Sequence, residues 1–225
     1  MVVNETARIL TAPTGITDIF NWAGNIFIPW FVYLVTQLII PRMQDLLFSP
    51  LQQTEMLWVV VPLLMTILLM TFYFGAHKDE ELGWNTAFGN SMVLIFTSIN
   101  LLQRIYGNIS FSHLIFNEDT IIALALMAEG FLLMFINFFH FLPKKVAFYV
   151  SSPLHINIIA LFGAIVVYST KISADYVTII SIIILYIICG AILNLVKKLI
   201  PGAKEGIERM TESSYLRLEK IQENR

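Results

Sequence analysis

The stretch from Thr120 to His140, TIIALALMAEGFLLMFINFFH, is apolar nearly throughout and carries one carboxylate, Glu129, near its middle. An ionised acid at the centre of a bilayer costs about 2.5–3.5 kcal/mol on insertion scales. Such a group must meet protein or water, or keep its proton. Gly130 beside it removes a side chain and admits a close neighbour, either another helix or a column of water. His140 lies eleven residues further on, about three helical turns, so it projects from nearly the same face. Ile122, Leu126, Leu133 and Ile136 fill the rest of that face. Ionisable groups inside membranes mark ion or proton sites by default, and Glu129 is the candidate here.

A second constellation lies in ELGWNTAFGNSMVLIFTSINLLQRIY. On a helix, Thr86, Asn90, Thr97, Asn100 and Arg104 fall within about 80° of one another. Val93 is the apolar interruption. A stripe of this kind faces a partner helix, a cavity or a pore. Two arrangements satisfy it. In one, Asn90, Thr97, Asn100, Asn137 and His140 line a polar vestibule that narrows toward Glu129. In the other, the amides hydrogen-bond helix to helix, at about 0.6 kcal/mol each on average, and need no pore.

Other groupings carry less chemistry. His77, Asp79, Glu80 and Glu81 share the loop GAHKDEELGW, and His140 and His155 fall on the same side. Imidazoles and carboxylates bind divalent cations, but no compact ligand spacing is present, and a solvated turn explains the run. No metal and no cofactor is expected. Ser151 and Ser152 precede Pro153 and His155, where helix capping accounts for them, and no G-x-S-x-G turn occurs. A lipid-directed enzyme using Glu129 or the histidines as acid–base groups is therefore the third-ranked expectation. Arg104 is placed to pair with Glu118 or Asp119. The single cysteine, Cys189, excludes an internal disulfide and a multi-cysteine metal site.

These groups need elements to position them. The chain of 225 residues is 57% hydrophobic and 13% charged, with a net charge of −2. Soluble domains carry about a quarter of their residues charged. So much apolar surface belongs in a bilayer, and nothing points to nucleic acid. The expected fold is all-α and polytopic. Spans of about 20 apolar residues are found at Ile16 to Ile40, Met56 to Phe74, Thr86 to Gln103, Thr120 to Phe141, Pro153 to Ser169 and Tyr176 to Val196. Pro41 and Pro143 follow the first and fourth, and Ser152-Pro153 reads as a helix start. The second span is nearly free of polar residues and is the expected lipid-facing or scaffolding helix.

Orientation follows from the basic residues. Six spans put both termini on one side, with Arg8, Lys78, Lys144, Lys145 and the seven basic residues from Lys197 onward. Arg42, Arg104 and Lys171 fall on the other. That bias places both termini in the cytoplasm of a cell-membrane protein. Residues 1–15 are then a cytoplasmic segment, 16–196 the transmembrane domain and 197–225 a cytoplasmic amphipathic helix. In the tail Ile207, Met210, Ser214, Leu218 and Ile221 form a narrow seam of coiled-coil type. The seam points to a homo-oligomer. The leading functional expectation is a small channel or transporter for protons, cations or a small polar solute, with Glu129 at its midplane. The second is a non-catalytic scaffold or accessory subunit that docks a partner protein.

Overall fold

The computed structural model describes residues 23–78, 80, 82–107, 116–169 and 171–201. Residues 197–199 of the expected tail helix prolong the last span instead, and the rest of that tail from 202 on, with the first residues of the expected first span, lies outside them. All regular structure among the described residues is helical. Four helices are long and apolar enough to cross a membrane: Thr54–Ala76, Glu118–Phe139, Lys144–Tyr168 and Tyr176–Leu199. They identify the chain as compatible with a multi-pass membrane protein.

The first described helical stretch departs from the sequence expectation. Two π-helical turns, Ala23–Phe27 and Leu34–Ile39, alternate with the α-helices α1 (Ile28–Tyr33) and α2 (Ile40–Gln52). Phe27, Tyr33, Leu34, Ile39 and Ile40 at the junctions all hold right-handed helical angles, so the helix runs unbroken through Pro41. Pro41 does not end it. A proline ring inside a helix collides with the carbonyl four residues earlier and lacks an N–H to bond it. Each π turn ends two residues before a proline, Pro29 or Pro41, and the widened turn relieves that collision. Pro50 and Pro62 sit inside α-helical turns without such widening.

Helices α3 (Thr54–Ala76), α4 (Trp84–Tyr106) and α5 (Glu118–Phe139) follow, each running opposite to the one before. Their ends prove the order. Arg104 at the end of α4 pairs with Glu55 at the start of α3, and Tyr106 meets Thr120 of α5 at 2.6 Å. The expectation that Arg104 pairs with Glu118 or Asp119 is replaced by Glu55. Short α6 (Lys144–Val150) leads into α7 (Pro153–Tyr168), and α8 (Tyr176–Leu199) completes the described bundle. Ser152 caps α7, its hydroxyl accepting from the His155 N–H at 3.3 Å with Pro153 in the first turn, as its sequence indicates.

Helix α7 is the centre. It packs on α3, α4 and α5, and two thirds of the apolar window in Lys144–Tyr168 is buried within the protein. Small residues make this possible. Ala160 and Ala164 are fully buried, and Gly163 lies under Leu126 of α5. Without a hydrophobic drive between helices in lipid, close approach over small side chains is what holds a bundle. The α4–α5 contact is tighter still. A Cβ on Gly130 would stand 2.7 Å from Ile95 Cγ1 and 3.1 Å from both the Ile95 backbone nitrogen and Leu94 Cβ.

These contacts give an ordering. Gly130→Ala forces the α4 backbone away and should cost about 1–3 kcal/mol, the usual range for overpacking. At Gly163 the colliding atom is the flexible end of Leu126, 2.6 Å away, so Gly163→Ala should cost less. Thermal unfolding in detergent micelles, followed by circular dichroism, checks the order. A Gly163→Ala loss equal to the Gly130→Ala loss would contradict it.

Candidate functional site

Glu129 sits eleven residues after the start of α5 and ten before its end, so it is midway along the helix. It is half-buried. Thr120, Ala123, Leu126, Gly130, Leu133 and Asn137 form the buried face of α5, and Glu129 lies on the flank of that face with half-buried Ile122 and Ile136. Its carboxyl makes no hydrogen bond with any described residue. Gly130 resolves one of the two openings its sequence offered: a helix comes close there, namely α4.

The stripe on α4 meets α7. Asn90 Nδ2 donates to the Ser151 carbonyl, just ahead of α7, at 2.8 Å. Asn100 Oδ1 accepts from the Tyr168 hydroxyl, at the far end of α7, at 3.1 Å. Arg104 lies over the Tyr168 ring, 4.3 Å from its centre, while holding Glu55. Thr97 lies between, buried. The amides of Asn90 and Asn100 thus join helix to helix at opposite ends.

Asn137 heads a second knot. It is fully buried, and its Nδ2 donates to Ser151 Oγ at 2.8 Å and to Ser91 Oγ and the Ala87 carbonyl at 3.3 Å. Ser91, which the pattern analysis passed over, and Ser151, which it read as a cap, are thus hydrogen-bond partners of Asn137. Their only signal was being small and polar within apolar runs. Asn157 is similar: it is buried, donates to the Pro153 carbonyl at 2.6 Å, and like Asn137 leaves its Oδ1 without a partner among the described residues.

His140 leaves the face that a continued helix would give it. It takes left-handed angles, φ 56° and ψ 38°, where α5 stops, and its exposed ring stands edge-on to Trp84 with centres 4.1 Å apart. Histidine is among the residues that tolerate this conformation. His155 Nδ1 lies 2.9 Å from the Tyr186 hydroxyl, joining α7 to α8. No group of three metal-ligating side chains occurs among the described residues.

At the Arg104 end, Asp175 caps α8. It accepts from the Thr178 N–H at 2.8 Å and from Arg42 at 3.2 Å. Ser49 meets Ser169 at 3.4 Å and Lys171 donates to Gln52 at 3.1 Å, so α2 is tied to the α7–α8 loop at several points. The chain matches no protein-family model, no curated protein and no solved structure.

Asp175 sets a pH dependence. Partial burial alone would raise its pKa, but hydrogen bonds from Thr178 and the Arg42 guanidinium outweigh it, and the net shift is downward. A carboxyl held below its unfolded value of about 3.9 stabilises the fold above that value and loses the contribution as pH falls through the lowered one. Asp175→Asn keeps a good capping residue and removes the charge. Wild type should therefore melt higher than Asp175→Asn at pH 7, with the gap closing below about pH 4. A gap unchanged at pH 3 would refute the assignment.

Proposed function

We propose that this chain is a multi-pass protein of the cell membrane that moves protons or cations, with Glu129 as the midplane binding group. Helix α4 runs between the two ends that α3 and α5 also connect, so it crosses with them despite its polar stripe. The stretch through Ile39 is the sixth crossing. With the basic excess on the His140 side, both termini are cytoplasmic. The reading is carried by one observation: a carboxyl midway along a membrane helix, half-buried and without a partner among the described residues. In it, Asn90, Asn100 and Asn137 hold the helices that fix α5, Thr97 fills the seam between them, and His140 stands at the cytoplasmic end of the path.

A second reading, a scaffold or accessory subunit, is favoured by the polar stripe being engaged within the chain, as the Asn90 and Asn100 bonds attest. Purified protein in liposomes separates the two. Wild type should carry a proton or cation flux that Glu129→Gln reduces to the leak of protein-free liposomes. Equal flux in both, or none in either, would favour the scaffold.

A further inference from the structure

The flank of α5 that carries Glu129 leaves a half-buried carboxyl that bonds no described residue of its own chain. A second polar group has hydrogen-bonding capacity to spare. Gln37, in the apolar run IFIPWFVYLVTQLII, is exposed. Its amide nitrogen donates to the Thr36 hydroxyl at 3.5 Å, while that hydroxyl donates in turn to the Val32 carbonyl at 2.8 Å. The two groups lie far apart in the packing order. The helix bearing Gln37 packs on α8, whereas α5 packs on α4 and α7.

Their depths agree. Glu118 accepts from the Ala174 N–H at 3.3 Å, so α5 and α8 start level. Glu129 is eleven residues in, about 16 Å at 1.5 Å per residue. Ser181, six residues beyond Asp175, approaches the Ile39 carbonyl at 3.5 Å. Gln37 is two residues deeper than Ile39, about 12 Å in all. Both polar groups therefore fall within about 5 Å of one level.

We propose that a second copy of this chain covers the Glu129 flank, with its Gln37 amide bonded to the Glu129 carboxyl. The chemistry selects the pair. A carboxylic acid offers one donor and one acceptor, and a primary amide offers both in return, so the two close a pair of hydrogen bonds with no net charge in lipid. The contact joins different faces of the two copies, so it repeats head to tail from copy to copy. It completes the Glu129 site with a group from the neighbour. It rests on the membrane placement of the helices and not on transport.

Cysteine pairing in native membranes tests it. In a Cys189→Ala background, Gln37→Cys on one tagged copy and Glu129→Cys on a differently tagged copy should form a disulfide-linked heterodimer on mild oxidation. The yield should exceed that of Gln37→Cys with Leu132→Cys, an exposed position on the same helix. An equal yield overturns the proposal. So does an internal cross-link within a monomer carrying both cysteines, which would show that Glu129 is met from its own chain. In detergent, Gln37→Leu and Glu129→Leu should each weaken self-association by about three- to twentyfold, and the double variant no more than either. Additive losses, or none, overturn the pairing. Loss of the cross-link with flux still sensitive to Glu129→Gln would remove the interface and leave transport standing; a cross-link without flux would do the reverse.

Discussion

Buried polar side chains need hydrogen-bond partners, and that constraint decides where α4 must go. It carries Asn90, Ser91, Asn100 and Arg104 into the bundle, and each must end on a neighbouring helix. The result is a seam against α7 and a knot against α5: Asn90 on the Ser151 carbonyl, Asn100 on Tyr168, Ser91 under Asn137. Apolar packing then needs only to close the remaining distance. It does so where side chains are smallest, at Gly130 and Gly163. Polar satisfaction chooses the partners and glycine sets the separation.

The two ends of the bundle differ in kind. At the Arg104 end, charges pair: Glu55 with Arg104 in the open, Asp175 with Arg42 part-buried. Exposed pairs contribute little stability singly. Here they link α3 to α4 and α2 to α8, which fixes the bundle's outer geometry. At the His140 end the links are neutral and more deeply placed, through Asn137, Ser151 and the His155–Tyr186 contact. Glu129 belongs to neither set: its carboxyl bonds no described residue.

Much of this was legible from residue types. Apolar runs located the four span-forming helices, and the helical wheel placed Asn90, Asn100 and Arg104 on one face. The partner of that face was not legible, because a wheel gives direction without naming what lies opposite. Arg104 shows the limit: Glu118 and Asp119 are nearer in sequence, yet antiparallel packing brings Glu55 to it. The central position of α7 was also hidden. All spans are apolar, so hydropathy cannot rank burial among them; the small residues Ala160, Gly163 and Ala164 were the available sign. Pro41 misled because proline usually ends a helix, and a widened turn let this one continue.

That widened turn has a geometric outcome of its own. One surplus residue in a turn rotates everything after it by about 100° relative to a regular helix. Upstream of Leu34 the stretch shows no buried side chain in α1, while beyond it Ile39, Leu46 and Ser49 turn inward together. A single rod thereby leaves its first half unburied by described residues and turns part of its second half against them. The dislocation in phase, rather than a bend or a break, is what lets one segment serve both surroundings.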